Sequence, residues 1–267
     1  IIMLSSYIRE EVCKMQITVT ERRNKILDLI NENGRVSVNE LSKLFNVSVV
    51  VIRTDLSELE RQGLLARVHG GAITSYRSYY DMSLMQRLNT NIDEKKAIAE
   101  KLSTLVKDSD TLIMNAGTTP IYVMRALESK KITIVTNSVA LALEGAQNPN
   151  FKIILIGGDV DADFQFTYGI SAMKELERYC ADLFIMSVDG IDINKGISTF
   201  YYQESEICKC MMERCSRTVV AADHSKIGRT AFAKISDLSR VDTIVTDSAA
   251  DKSSLDKLRK KGIEIIV

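Results

Sequence analysis

Before residue 60, apolar residues recur three times at helical spacing; beyond residue 110 they gather into short runs. The first stripe, Ile26, Leu27, Leu29 and Ile30, predicts a helix over roughly Glu21–Asn33 that stops before Gly34. The second is Val38, Leu41, Leu44 and Phe45, with Ser37 three residues before Glu40 at capping-box spacing. Asn46-Val47 breaks it. Ser48 can cap a third helix, with Ile52, Leu56 and Leu59 on its apolar face and Gly63 at its end. The last two helices are separated by about three residues, as a helix-turn-helix requires. Leu64–Val68 and Ala72–Tyr76 can then pair across Gly70-Gly71. Residues 20–75 thus read as a winged helix-turn-helix, three helices sharing one small core, after an N-terminal extension over residues 1–19.

Periodicity lapses between Tyr76 and Asn91, where Arg77, Ser78, Asp81, Asn89 and Thr90 read as a linker. From residue 92 helix and strand alternate to the end. Ile98, Leu102 and Leu105 stripe a helix, and Pro120–Leu127 and Val139–Gln147 are helical. Thr111–Met114, Ile132–Val135, Lys152–Ile156, Leu183–Val188, Thr218–Ala221 and Thr243–Val245 are strand-like runs. This alternation predicts an α/β domain over residues 92–267 with a mainly parallel sheet covered by helices.

The second helix of a helix-turn-helix enters the major groove and reads bases with its N-terminal residues. Here those are Val49, Val50, Arg53 and Thr54. Arg53 suits guanine, and valine methyls suit the thymine methyl. Ser37, Ser48 and the helix starts suit phosphate contacts. Arg67 and His69 lie on the wing, in reach of the backbone or minor groove. Residues 1–75 carry ten Lys/Arg against nine Asp/Glu, a net of only +1. The broad basic patch usual for nucleic-acid binding is absent, so specificity must rest on a few well-placed contacts.

In a parallel sheet, ligands bind at the carboxyl ends of the strands. After the first predicted strand come Asn115, Ala116, Gly117, Thr118 and Thr119, then Pro120. The glycine permits close backbone approach, the threonines offer hydroxyls, and the helix start favours an anion, which together predict a phosphate cradle. Thr136-Asn137-Ser138, Gly157-Gly158, Asp189-Gly190 and Asp223-His224-Ser225-Lys226 follow later strands. Each is an ordinary turn sequence, but five in one topological position point to a common site. His224 reads as ordering the turn into Ser225-Lys226 more than as a general base.

Composition narrows the classes. Of 267 residues 45% are apolar, and the net charge is zero. No apolar stretch approaches the roughly 20 residues that span a membrane, and Arg9, Glu10, Glu11 and Lys14 argue against a signal peptide, so a cytoplasmic location is expected. Met15 reads as an alternative start, leaving residues 1–14 with little functional weight. Five cysteines argue against a disulfide framework. Cys208 and Cys210 point to different sides of a helix, so with Cys215 they are expected as reduced thiols; no metal or cofactor is expected.

The run Glu21-Arg22-Arg23, Gly34-Arg35-Val36-Ser37-Val38, Ile52-Arg53, Asp55-Leu56, Leu59-Glu60, Gly63-Leu64-Leu65 and His69-Gly70-Gly71-Ala72 closely resembles the DeoR family of bacterial transcriptional regulators. The resemblance continues from Glu94-Lys95 to the C-terminus, over about nine tenths of the chain. It implies a winged helix-turn-helix joined to a sugar-phosphate sensor whose fold resembles ribose-phosphate isomerases. It implies a repressor of sugar-catabolism genes, released by a phosphorylated sugar. It also implies that Gly117, Thr118 and Thr119 hold phosphate, and that Asn137, Asp189, Glu204 and Lys226 line the sugar end. The chain departs from the family pattern at Val51 and Thr54, at Asn115-Ala116 (usually Asp-Ser), at Asp161 (commonly Arg) and at Cys208, where a lysine is usual.

The leading expectation is a ligand-responsive, non-enzymatic repressor that binds double-stranded operator DNA as a dimer or higher homo-oligomer. One alternative is a sugar-phosphate isomerase or deaminase with an accessory helix-turn-helix domain, since Asp189, Glu204 and Lys226 suit proton transfer. Another is a protein-interaction scaffold.

Overall fold

The computed structural model describes residues 17–33, 35–61, 64–68, 70–74 and 84–267. Readings placed on residues 1–16, Gly34, Gly63, His69, Tyr76, Arg77, Ser78 and Asp81 lie outside them. The chain divides into two compact units, Ile1–Asn91 and Ile92–Val267.

The first unit holds α1 (Val19–Asn33), β1 (Arg35–Ser37), α2 (Val38–Phe45), α3 (Val49–Arg61), β2 (Leu65–Val68) and β3 (Gly71–Thr74). Ile26, Ile30, Leu41, Phe45, Ile52, Leu56, Leu59 and Leu65 form its core, as the helical stripes predict. The sheet differs from the expected two-stranded wing. Its order is β1-β3-β2, with Val36 opposite Ala72 and Ser37 opposite Gly71. A Cβ on Gly71 would lie 2.0 Å from the Val36 carbonyl oxygen, so only glycine lets β1 close against β3. The turn falls one residue earlier than expected, since Gly71 already pairs with Val68.

Capping also moves. Ser37 makes no side-chain cap bond to α2; it ends β1, and the Val38 N–H donates to the Gly70 carbonyl at 2.9 Å instead. The reciprocal box forms at α1: Thr18 N–H donates to Glu21 Oε2 at 2.9 Å, and Glu21 N–H donates to Thr18 Oγ1 at 3.2 Å. Ser48 does cap α3, its hydroxyl accepting from Val51 N–H at 3.3 Å. A short helix α4 (Leu84–Leu88) occupies part of the segment read as linker.

The second unit is built on a seven-stranded, fully parallel sheet. Its strands are β4 (Thr111–Met114), β5 (Ile132–Thr136), β6 (Phe151–Leu155), β9 (Ala181–Met186), β12 (Cys215–Ala221), β14 (Thr243–Val245) and β15 (Glu264–Ile266), in the order β15-β14-β12-β9-β4-β5-β6. Helices α5 (Ile92–Ser103), α6 (Thr118–Ala126), α7 (Val139–Gly145), α8 (Ile170–Leu176), α9 (Tyr202–Glu213) and α10 (Lys252–Arg259) intervene. Ile113, Phe184, Met186, Val220 and Ile244 join a cluster with Leu176, Ile207, Met211, Leu255 and Leu258 of the helices. Their strand neighbours Leu112, Ile185, Val219 and Val245 are equally buried, so these strands are apolar on both faces.

Two antiparallel additions were not foreseen: the hairpin β7 (Asp159–Asp161)–β8 (Phe166–Tyr168), and a small sheet β10 (Gly190–Asp192)–β11 (Gly196–Thr199)–β13 (Ala233–Ser236). Both start in loops that follow strands of the main sheet. From β4 the chain winds outward through β5 and β6; from β9 it winds the other way through β12, β14 and β15. The β4–β9 boundary is therefore the switch point, where the winding of the sheet reverses and ligands of open parallel sheets ordinarily bind.

Candidate functional site

The exposed face of α3 carries Val50, 68% exposed, with Arg53 and Thr54 also exposed. Val49 is half-buried against the helical core, so it offers the groove less than the sequence reading assigned it. The Thr54 hydroxyl donates to the Val50 carbonyl at 3.0 Å, which leaves its oxygen lone pairs facing outward. Arg67 is held on α3: its Nη1 donates to Ser57 Oγ at 2.6 Å and its N–H to Glu60 Oε1 at 2.8 Å. It therefore fixes the wing against the recognition helix, and its guanidinium, part-exposed, keeps further N–H donors for a phosphate. Ser48 is exposed at the start of α3, and Ser37 is half-buried at the end of β1.

What holds α3 in register is on its other face. Asp55, 2% exposed, receives Arg22 Nε at 2.6 Å and Arg23 Nε at 2.9 Å from α1. Arg53 and Asp55, two residues apart, thus point one to solvent and one into an ion triad.

In the second unit, the loop after β4 enters α6 through Gly117, whose φ is +151°. A Cβ there would lie 2.2 Å from Ser187 Oγ, so glycine permits the loops after β4 and β9 to touch. No side chain caps α6, and Thr118 and Thr119 form its first turn, where backbone N–H groups lack intrahelical acceptors. Asn115 spans the switch point. Its Oδ1 accepts from Ser187 N–H at 2.9 Å, and its Nδ2 donates to the Ser187 carbonyl at 3.0 Å. The same Nδ2 reaches Glu204 Oε1 at 3.4 Å and Cys208 Sγ at 3.6 Å. Two positions that depart from the family pattern, Asn115 and Cys208, therefore touch. Burial, with the nearby Glu204 charge, pushes the Cys208 thiol up; burial likewise pushes Cys215 up to about 12.

Asp189, Glu204 and Lys226 converge. Thr199 Oγ1 lies 3.0 Å from Asp189 Oδ2 and 2.5 Å from Glu204 Oε2. Lys226 Nζ is 3.9 Å from Asp189 Oδ1, and Phe200 N–H donates to Asp189 Oδ2 at 3.0 Å. Beside them Phe164, from the β7–β8 turn, meets Tyr201 with ring centroids 4.3 Å apart. Thr199 and Phe164 had no signal in the sequence, because the hairpins that carry them were not recognised; Ser187 ends the predicted run Leu183–Val188 and Tyr201 directly precedes α9, and neither was singled out.

Other expected contacts are braces. Asn137 has no exposed surface; its Oδ1 accepts from Ala116 N–H and its Nδ2 donates to the Thr167 carbonyl, both at 3.0 Å. The buried Thr136 hydroxyl accepts from Ser138 N–H. Asn137 thus holds the cradle loop through Ala116, while Thr136 ties its own turn at Ser138. Gly157 and Gly158 are exposed, with the Gly157 N–H on the Glu175 carboxylate at 2.8 Å. Asp161 accepts from Phe164 N–H at 2.9 Å and so shapes the turn that presents Phe164.

His224 is tied to Asp247 twice, backbone N–H to Oδ2 at 2.7 Å and Nδ1 to Oδ1 at 3.0 Å. That hydrogen bond, against burial, raises the His224 pKa above its ordinary 6.5. Burial alone would lift Asp247, but the bonds from His224 outweigh it and hold it below 3.8. The histidine's stabilisation is thus complete below pH 6.5 and lost as pH rises through its raised value; the aspartate's is lost as pH falls through its lowered one. The melting-temperature gap between the parent and His224→Gln should therefore shrink from pH 6 to pH 9. A constant gap would contradict the pairing.

The model of the DeoR-like helix-turn-helix domain matches residues 22–77, and that of the DeoR C terminal sensor domain matches residues 90–248. The HTH-type transcriptional regulator GolR of Listeria innocua is 33% identical over 246 residues, covering 92% of this chain and 97% of that protein. The HTH-type transcriptional repressor GlcR of Bacillus subtilis is 30% identical, covering 92% and 95%. The glycerol-3-phosphate regulon repressor of Escherichia coli is 32% identical, covering 92% and 98%. A solved ribose 5-phosphate isomerase A from Methanocaldococcus jannaschii aligns at 16% identity and a TM-score of 0.37, over 51% of this chain and 54% of that one, too distant to carry a functional argument.

Proposed function

Because the chain belongs to the DeoR family of transcriptional regulators, we propose that it represses sugar-catabolism genes and that a phosphorylated sugar, bound at the mouth of α6, sets its operator affinity. One observation carries this reading. The same chain holds an exposed α3 face with Arg53 and, in its other unit, an uncapped helix start facing Ser187 beside Asp189, Glu204 and Lys226. Phosphate takes the first turn of α6 and the hydroxyl end of the sugar takes the Asp189–Glu204–Lys226 wall. Two copies engage paired half-sites, which compensates for the weak charge of the reading domain. No described helix is long and apolar enough to cross a membrane, and a DNA operator with a phosphorylated metabolite sets its place of action in the cytoplasm. The isomerase and deaminase reading drew on the same polar side chains and is set aside by the family membership.

Release requires that the effector bind the DNA-free form more tightly than the DNA-bound form. A thermal-shift screen of pentose, hexose and triose phosphates finds it, since a ligand of the native state raises apparent stability. On an operator selected from a random duplex library, Arg53→Ala should lose roughly 1–3 kcal/mol, about 5- to 150-fold in affinity at fixed salt. A change within about twofold would remove Arg53 as a base reader.

A further inference from the structure

The two edges of the main sheet are built differently. At one, β15 has three residues and opens on Glu264, an exposed carboxylate bonded to Arg217. At the other, β6 reads Phe-Lys-Ile-Ile-Leu over Phe151–Leu155 and pairs with β5 in continuous register, with no strand on its outer side among the described residues. Edge strands are ordinarily short, bulged or guarded by charge or proline, because unpaired main-chain groups invite a second strand. The ladder gives the direction of those groups. Ile132 N–H donates to the Asn150 carbonyl at 3.2 Å, and Ile156 N–H donates to the Thr136 carbonyl at 2.8 Å. Main-chain groups alternate along a strand, so Lys152 and Ile154 also face β5, and Ile153 and Leu155 turn theirs outward. The Ile153 side chain packs beneath α7, since a Cβ on Gly145 would lie 2.9 Å from its Cδ1. Leu155 shares that face by alternation and is 41% exposed, and Leu143 on α7 is 68% exposed.

We propose that β6 is a self-association edge: two copies of this chain add their β6 strands antiparallel about Ile153, across a two-fold axis. Pairing centred there sets Ile153 against Ile153 and Phe151 against Leu155, all apolar, while Lys152 falls opposite Ile154 rather than another lysine. The outward N–H groups of Ile153 and Leu155 then meet the carbonyls of Ile153 and Phe151 in the second copy. Charge selects the same direction. Between Ala146 and Gln165 the only charged residues are Lys152, near the start of β6, and Asp159, Asp161 and Asp163, beyond its end. Antiparallel association carries Lys152 toward the aspartates of the second copy, whereas a parallel one would set aspartates beside aspartates. The edge supplies a contact for the two copies that the paired half-sites above require, and the inference rests on that part of the reading.

Sedimentation equilibrium of the full chain should show reversible dimers, or assemblies built from them. Leu155→Pro removes an N–H that faces away from β5, a change that an edge strand tolerates. Leu143→Glu places a charge on the exposed surface of α7 beside it. Each should raise the dimer Kd by at least about tenfold, the scale of losing an interface anchor, while the far-UV circular dichroism spectrum stays that of the parent. If Leu155→Pro loses that spectrum, Leu143→Glu, at a surface position, carries the test alone. Variants that fold and dimerise like the parent overturn the edge and leave the paired copies standing, since the chains then meet elsewhere. A parent that stays monomeric throughout also overturns the edge. If that monomer further occupies a duplex with paired half-sites only singly, the reading of two copies on the operator fails as well.

Discussion

Replacing Asp55 with Ala should melt the DNA-reading unit well below the temperature at which the sensor unit unfolds, and abolish operator binding at 37 °C. Asp55 is a carboxylate at 2% exposure between two guanidinium groups, and Arg22 itself is 7% exposed. Removing one partner of a buried ion pair costs about 3–5 kcal/mol, because the other charge stays buried without compensation. A domain of this size buries a small core and has little stability to spare. At 4–8 °C per kcal/mol for a small domain, the lower transition should fall by roughly 15 °C or more. Calorimetry of the full chain, with far-UV circular dichroism, reads this directly. A lower transition within about 3 °C of the parent's would mean the triad does not hold α3. The consequence reaches function because Arg53 and Asp55 share one turn of helix: the triad fixes the rotation that turns Arg53 outward.

That triad was invisible as a triad in the sequence. Arg22, Arg23 and Asp55 belong to the motif that resembles the family, yet acidic and basic side chains are ordinarily exposed, and 33 residues separate Arg22 from its partner. Local patterns fared according to how much chain they spanned. The helices of the first unit and six strands of the main sheet were legible, because an apolar stripe or a run buried on both faces leaves a repeated signal. Arg35–Ser37 and Glu264–Ile266 were not, since three residues carry no period. Capping-box spacing occurs at both Thr18–Glu21 and Ser37–Glu40, and only the first forms. Ser37 is committed to the ladder with Gly71, so tertiary pairing decides between two equal local signals.

The loops that meet at the switch point were legible by topology, and the engagement of their side chains was not. The rule that ligands bind beyond the carboxyl ends of parallel strands found the loops after β4 and β9. It did not separate contacts from braces, so Asn137 and Thr136, wholly buried with their polar atoms engaged, were grouped with the part-exposed Asp189, Glu204 and Lys226. It also missed Thr199, which reaches Asp189 and Glu204 only because the β10–β11 hairpin doubles back. Side chains that join two loops have no signature in either loop alone.

Gly117 is where sensing should be most sensitive to a single methyl group. Its φ of +151° is one that residues with a Cβ rarely adopt, and the added Cβ would meet Ser187 Oγ at 2.2 Å and Pro120 Cδ at 3.3 Å. Ser187 has little freedom to yield, since its backbone is held by both ends of the Asn115 amide and its hydroxyl donates to the Ala116 carbonyl at 3.3 Å. Such backbone strain costs on the order of 1–3 kcal/mol. Relieving it must move the start of α6, whose N–H groups and dipole favour an anion only at close range. Gly117→Ala should therefore keep operator binding in the absence of effector while raising the effector concentration for half-release by at least about tenfold. Thr118→Val with Thr119→Val, which removes two hydroxyls and leaves the backbone in place, should raise it less. Fluorescence anisotropy of labelled operator, titrated with the effector from the phosphate screen, gives both values. A release curve for Gly117→Ala that overlays the parent's would place the phosphate elsewhere than at α6.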